Sequence, residues 1–506
     1  QQQVRSKVNQ TQQPTTARTL HHAIFDHAKL NPTAPALFFE DQTISYESLT
    51  TYALQIARTL TQHNLAPGEA VAVSLPRGVE QIAAVLGVMA AGGCYVPIGI
   101  HQPLNRQQKI HQAADIRLQL TDAQHVDTFT TSHVTAIDVA SALTQQPLAA
   151  PVTIENTAPA YIIFTSGSTG EPKGVEMCHQ ATANTIDDLN QRYQINPNSR
   201  ALAVSALDFD LSVYDIFGML SAGASLVILP ESQRRDAATW LDLINQHQVT
   251  VWNSVPVLLD MLLVVAEHDS RTLPFQQVML SGDWIGLDLP PRLQAKCHEN
   301  VPLIAMGGAT EAAIWSNICE VTAPLPSHWQ SIPYGKPLTN QSYRVVDELG
   351  RDCPDWVVGE LWIGGQGLAT AYRGDPTLTA QRFVIVNGQR FYRTGDRGRY
   401  WPDGNIEFLG RIDHQVKVRG HRIELGEVDA AFANISTINR AITLTIGEPK
   451  ALVTAVISKD NQVLDTAHIT AELHQQLPDY MVPSQLIQID ELPLSANGKV
   501  DRKQLA

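Results

Sequence analysis

The stretch Ala160–Gly174, AYIIFTSGSTGEPKG, sets an uninterrupted apolar run against a loop of glycines, hydroxyls and one lysine. Such a run, bounded by a turn, reads as a strand buried on both faces. Outward from it the pattern repeats. "AVAVSL" near Ala70, "ASLVIL" near Ala224 and "VTVWNSV" near Val249 are short β-branched runs, while "QIAAVLGVMAAGG" near Gln81 is helical. Leu20 to His27, ahead of Pro32, reads as an amphipathic helix, and Ile44 to Leu60 as a short strand and a helix. Strands alternating with helices over about 300 residues predict parallel sheets covered on both faces. Past about Pro333 the texture turns to hairpins, "SYRVVDELG", "GELWIGGQGL" and "RYWPDGNIEFLG", with Asp403-Gly404 as a turn signal. From Asp413 a strand, a helix ("LGEVDAAFANI"), a strand ("ALVTAVI") and a Pro-rich tail fit a small α+β domain. The expected division is a polar leader over 1–18, an α/β core over 19–412 with a β-rich part from about 333, and a C-terminal domain over 413–506.

The chain has 506 residues, 36 Lys+Arg and 50 Asp+Glu, for a formal charge of −14. An apolar fraction of 44% and a charged fraction of 17% belong to a globular chain, which excludes global disorder. The acidic balance disfavours a nucleic-acid binder working through a general basic field, so a polyanionic ligand needs a local device. Five cysteines without CxxC spacing argue against a disulfide scaffold and against a structural zinc site. Reduced thiols and a cytoplasmic location are the expectation. No apolar run approaches the ~20 residues of a membrane span, and the start at Gln1 rather than Met fits a piece of something longer.

Within the loop, Thr165, Ser166, Gly167, Ser168, Thr169 and Gly170 offer backbone N–H groups and small side chains, and Lys173 adds a point charge. On a strand-to-helix loop that is a phosphate-binding composition. Three other motifs fail by inspection. A Walker A loop needs Gly-Lys followed by Ser or Thr, and here Pro337 and Val500 follow. A nucleophile elbow needs glycine where Ser166 stands relative to Ser168, and Gly365-Gln366-Gly367 runs on to Thr370 instead of the third glycine of a dinucleotide fingerprint. His21, His22 and Asp26 imitate an acyl-condensing HHxxxD motif with His27 in place of its glycine, and are read as surface helix residues.

Together with "GGATE" (Gly307–Glu311), "YRTGD" (Tyr392–Asp396), "GRIDHQVKVRGHRIELGEVD" (Gly410–Asp429) and "PLSANGKVDR" (Pro493–Arg502), the loop resembles the adenylate-forming superfamily. More closely, it resembles the adenylation domains of nonribosomal peptide synthetases. "AAGGCYVPI" (Ala90–Ile98) and "GELWIGGQGLATAYRG" (Gly359–Gly374) extend the match, which covers nearly the whole chain. The resemblance implies a large N-terminal body with a mobile C-terminal cap, and a carboxylate attacking the α-phosphorus of ATP. Lys499, Lys173 and Thr310 then fall in the catalytic set. Thr165 to Gly170, Gly308, Asp396 and Arg411 contact the nucleotide, the last two at the ribose; Glu311 holds Mg2+ and Asp413 is the hinge. One departure stands out: most members carry an aromatic residue at the position of Gly307 that stacks on adenine, and proline at that of Ala309.

Aligning "DFDLSVYDIFG" (Asp208–Gly218) with the family places Asp210 where amino-acid-activating members hold the ammonium group. A buried carboxylate left without a cation is costly, which disfavours fatty and aryl acids. The implied pocket continues with Leu211, Tyr214, Asn253, Met279, Ser281, Met306, Ile314 and Trp315. Large residues leave room for a small side chain, while Asn253, Ser281 and Tyr214 offer polar edges. The pattern resembles cysteine-activating domains of thiazoline-forming siderophore assembly lines, with serine, threonine or alanine as alternatives. The chain carries no carrier serine motif, so the resemblance implies delivery to phosphopantetheine on a peptidyl carrier protein or domain elsewhere, either in trans or on the parent polypeptide. Some family members also require an MbtH-like protein, on which the sequence is silent. The competing readings are an acyl- or aryl-acid ligase, which Asp210 opposes, and a non-catalytic docking module, which the intact catalytic side chains oppose.

Overall fold

The computed structural model describes the chain apart from residues 168–170, 299, 328, 330, 413–414, 448–449, 460–463, 490–492, 494–501 and 506. It divides into two compact units: Gln1–Ile100, Ala114–Ile163 and Val175–Gly410 form the first, and His101–Ala113, Phe164–Gly174 and Arg411–Ala506 the second.

Three sheets organise the first unit. In the largest, Leu303–Gly307, Gln277–Leu280, Val251–Ser254, Arg200–Ala203, Ser225–Ile228 and Pro35–Phe39 run parallel in that spatial order, with antiparallel Asn317–Val321 and then Lys336–Pro337 at one edge and Gln42–Ser45 at the other. A second sheet centres on Ala70–Val73, whose four residues are all buried, as a doubly covered parallel strand requires. The third is antiparallel, built from Gln341–Val346, Gly359–Gly365, Phe383–Val386, Gln389–Tyr400 and Ile406–Arg411. Helices cover the parallel sheets for reasons visible in their sequences. Tyr46–Gln62 starts at Ser45, whose side chain accepts from the Ser48 N–H, and buries Leu49, Ala53, Ile56 and Leu60 along one stripe.

In the second unit the hairpin Gln415–Val418/His421–Glu424 leads into the helix Leu425–Ala433 and a sheet of Ile438–Ile446, Ala451–Ser458 and Gln485–Gln488. Ile423, Val428, Phe432, Val456 and Leu473 form its core. Parallel-rich sheets, a β-rich part and a small α+β portion are the fold class expected. Among the described residues no helix is long and apolar enough to cross a membrane.

Four details differ from the sequence reading. The glycine-rich loop leads into a strand, Lys173–Cys178, rather than a helix, because Val175 and Glu176 pair with Tyr372 and Ala371 almost 200 positions later. A ligand of this loop therefore meets no helix dipole at its C-terminal side. His21 is a core residue, not a surface one: it is 3% exposed, its ring lies 5.7 Å from that of His179, and burial depresses its pKa to about 3. His22 and Asp26 do lie on the surface, where they pair at 3.0 Å. The polar leader contains a helix, Gln2–Val8, whose Arg5 pairs with Asp355 at 2.6 Å. The Pro-rich tail contains the helix Thr466–His474 and the parallel strand Gln485–Gln488.

Candidate active site

The carboxyl ends of parallel strands are where open α/β sheets bind ligands. Asn253, Met279 and Met306 sit near those ends of three adjacent strands, with Asn253 paired to Met279 and Ser281 just beyond the strand end. Across from them, Asp210 caps a short helical turn, Leu211–Val213, that runs into a π-helical segment, Tyr214–Gly218. Single π turns inside helices recur at functional sites because they rotate side chains out of the regular i+4 rows. Leu211, Tyr214, Met279, Met306, Ile314 and Trp315 share one packed cluster. Ala313 and Ile314 both have positive φ, 54° and 73°. For a β-branched residue that is an unfavourable conformation, held only where the surroundings enforce it.

The polar groups of this cluster divide into spent and unspent. Asp210 is 7% exposed, and Thr310 donates its hydroxyl to one carboxylate oxygen at 2.8 Å. The Trp315 indole donates to Ser281 Oγ at 2.8 Å, leaving that hydroxyl its own proton. The Tyr214 hydroxyl donates to Asn190 Oδ1 at 3.1 Å, which spends its proton and leaves it an acceptor only. Asn253 donates from Nδ2 to the Leu211 carbonyl and to Asp215 Oδ1 at 2.8 Å, which fixes its orientation. Its Oδ1 is buried with no hydrogen-bond partner among the described residues.

Asp215 is a contributor that sequence reading missed; an aspartate five residues after another gives no local sign of which one faces the core. Burial raises its pKa to about 7, against the opposing Asn253 hydrogen bond and the Arg77 charge. A raised carboxyl pKa favours folding with the proton on: that contribution is complete below the ordinary value near 3.8 and is lost as pH rises through about 7. Asp215→Asn, which keeps the neutral shape, should therefore melt above the wild type by a gap that opens as pH rises from about 4 to about 7, levels off above that, and closes below about pH 4. Thermal melts across that range check this; a gap independent of pH contradicts it.

Glu311 follows Thr310 on a 3-10 turn and is fully buried. Tyr372, also unrecognised from sequence, donates to Glu311 Oε1 at 2.6 Å, and burial together with that carboxylate holds its phenol above the ordinary value. Among the described residues no group of three His, Cys, Asp or Glu side chains is placed to hold a metal. Asp396 lies inside the strand Gln389–Tyr400 at a bulge: Glu360 opposes Arg397 while Trp362 opposes Arg393, and Gly395 takes φ 74°. Bulges re-aim side chains, and here the Asp396 N–H is tied back to Thr394 Oγ1 at 2.9 Å. Gly308 adjoins Gly307 at the end of the strand Leu303–Gly307.

In the second unit, Ser166 donates to the Arg422 carbonyl at 2.8 Å and accepts from the Glu424 N–H at 3.2 Å. The Gly167 N–H donates to Glu427 Oε2 at 3.2 Å, and the other oxygen of Glu427 pairs with Arg106. A phosphate taken up by this amide has to displace Glu427. Thr165 ends the strand before the loop, Lys173 opens the one after it, and Arg411 ends the strand Ile406–Arg411. Ser168, Thr169, Gly170, Asp413 and Lys499 lie outside the described residues.

The family described as AMP-binding enzyme matches residues 24–373. The anguibactin system regulator of Vibrio anguillarum is 46% identical over 516 residues, covering 100% of this chain and 49% of that protein. Pyochelin synthetase PchE of Pseudomonas aeruginosa is 52% identical over 442 residues, covering 87% of this chain and 30% of that protein. The chain thus spans about half or less of the length of these curated relatives. Among solved structures, the nonribosomal peptide synthetase FmoA3 in its alpha-methyl-L-serine-AMP bound form is similar, with a TM-score of 0.78 and 34% identity, covering 100% of this chain and 51% of that one. Fold, motif order and these likenesses agree, and the chain belongs to the AMP-binding enzymes, as an adenylation domain of the nonribosomal peptide synthetase kind.

Proposed function

We propose that the chain activates a small amino acid, cysteine first, as aminoacyl-AMP, and passes it to the phosphopantetheine thiol of a carrier protein in a siderophore-like assembly line. The observation that carries this reading is the buried Asp210 carboxylate, held by Thr310 beside Glu311. A buried carboxylate at this position is suited to take the α-ammonium group of an amino acid in a charge-assisted hydrogen bond. A substrate carboxylate oxygen attacks the α-phosphorus of ATP, the bond to the β-phosphate oxygen breaks, and pyrophosphate leaves. The carrier thiolate then attacks the activated carbonyl carbon and AMP leaves.

The roles proposed follow the chemistry. Thr165, Ser166, Gly167, Ser168, Thr169, Gly170 and Lys173 bind the triphosphate, Gly308 lines the nucleotide, Asp396 and Arg411 take the ribose hydroxyls, and Lys499 stabilises charge at the α-phosphate. Asp413 is the hinge about which residues 413–506 move between the two half-reactions. Mg2+, when bound, neutralises phosphate charge. It needs only one or two carboxylates beside phosphate oxygens and water, and the single buried Glu311 fits that demand.

Cysteine leads because the pocket residues resemble those of cysteine-activating domains, and the Asn253 Oδ1, unpaired among the described residues, favours a side chain that can donate. A side chain bearing S–H or O–H satisfies it, whereas alanine leaves it orphaned. Serine and threonine share that chemistry, and FmoA3 bound to alpha-methyl-L-serine-AMP keeps serine as the alternative. Asn253→Leu is expected to lower selectivity for cysteine over alanine about tenfold, the worth of one hydrogen bond in a pocket. Amino-acid-dependent ATP–pyrophosphate exchange measures it, and unchanged selectivity would remove Asn253 from side-chain recognition.

A further inference from the structure

The Asn253 amide has two branches of opposite character, a donor NH2 and an acceptor oxygen, and what holds one decides what the other offers. Here the holding side consists of two acceptors. The Leu211 carbonyl lies 3.3 Å and Asp215 Oδ1 2.8 Å from Nδ2, so both amide protons are spent there. Turning the amide over would set its oxygen against the Leu211 carbonyl with no proton between them, a costly buried contact. Oδ1 therefore stays on the other branch, buried and without a hydrogen-bond partner among the described residues.

Asp215 is itself fixed. It is 1% exposed and sits in the π-helical segment Tyr214–Gly218, directly after the turn Leu211–Val213. Leu211 and Asp215 are four residues apart, which places them on one helix face, and a helical side chain leans back over the turn before its own. That lean sets the Asp215 carboxyl beside the Leu211 carbonyl, and the two together address one amide. The Arg77 charge and the Ser205 backbone N–H also act on Asp215. Arg77 is anchored in turn, donating to the Ala203 and Val204 carbonyls at 2.8 and 2.9 Å.

We propose that Asp215 is a positioning residue for side-chain selection: by accepting from Nδ2 it makes Asn253 present its carbonyl oxygen, so that the pocket favours an amino acid whose side chain donates S–H or O–H over one of equal bulk that cannot. The assignment rests on the adenylation reading above and adds the residue that sets the direction of its polar contact. The readout is the kcat/KM ratio for cysteine over α-aminobutyrate, in which a methyl group replaces the thiol, in ATP–pyrophosphate exchange. Asp215→Leu removes the acceptor and keeps the bulk, so the amide can turn and the ratio should fall about tenfold, the worth of one hydrogen bond in a pocket. The fall should sit in the cysteine KM, with kcat and the ATP KM within error. Asp215→Asn retains an oxygen for Nδ2 and should keep the wild-type ratio. With Asn253→Leu already in place, adding Asp215→Leu should change the ratio no further, because a residue that acts through Asn253 then has nothing to act on. An unchanged ratio in Asp215→Leu, an equal loss in Asp215→Asn, or a further fall in the double variant overturns the assignment. Should Asp215→Leu not fold, the wild-type chain crystallised with a non-hydrolysable cysteinyl-AMP analogue decides. A substrate Sγ within hydrogen-bond reach of the Asn253 branch turned away from Asp215 supports the assignment, and an Sγ out of reach of Asn253 overturns it. Wild-type exchange with no amino acid at all overturns the adenylation reading itself.

Discussion

Asp210→Asn is expected to lower kcat/KM for cysteine-dependent exchange by about 10²–10³. The carboxylate is buried, and asparagine keeps an acceptor for the Thr310 hydroxyl, so what is lost is charge rather than shape. Breaking a buried ion pair by removing one partner costs about 3–5 kcal/mol, because the remaining charge stays desolvated and unpaired. Each 1.4 kcal/mol is about tenfold, which sets the size of the fall. The loss should appear mainly in the amino-acid KM, since the ammonium is held in ground and transition states alike. Preference for cysteine over 3-mercaptopropionate, which lacks the ammonium group, should collapse in the same variant. Exchange kinetics at wild-type level would show that the ammonium is bound elsewhere.

Glu311→Gln is the second large effect, with kcat expected to fall by about 10²–10³. Glutamine retains a carbonyl oxygen for the Tyr372 hydroxyl that now donates to Glu311 at 2.6 Å, so the turn that carries it should survive. The substitution removes a negative charge from a fully buried position. A metal gathered mainly by phosphate oxygens loses its one proposed protein anchor, and the Mg2+ concentration for half-maximal rate should rise with the fall in kcat. A variant that keeps wild-type kcat and magnesium dependence would leave Glu311 a structural partner of Tyr372 only.

Much of this arrangement was legible along the chain because the relevant signals are local. Ala70–Val73 is an apolar run between turns, the local signature of a parallel strand buried on both faces. The loop after Tyr161–Phe164 and the residues Asp210, Thr310 and Glu311 are likewise short patterns. What escaped was decided by partners distant in sequence. Lys173–Cys178 is a strand because residues 371–372 pair with it, and its own composition favours neither strand nor helix. His21 is buried because His179 and Phe25 enclose it, a fact about packing that no run of eight residues reveals. The Tyr214 hydroxyl spends its proton on Asn190, a partner 24 positions earlier. That Tyr334 stands against Gly307 was invisible for the same reason. Only the space above Gly307 discloses that a residue 27 positions later fills it.

The net charge of −14 sharpens the chemistry the site must perform. A general field of that sign repels nucleotides, so affinity for ATP has to come from local groups. The proposed set is short: loop amides, Lys173, Arg411, Lys499 and a metal at Glu311.

The most direct measurement is ATP–pyrophosphate exchange by the whole 506-residue chain against each of the twenty amino acids. The account predicts exchange that requires an amino acid and is strongest with cysteine, followed by serine and threonine, with alanine well behind. Exchange with no amino acid, or a maximum with a large apolar one, would contradict it.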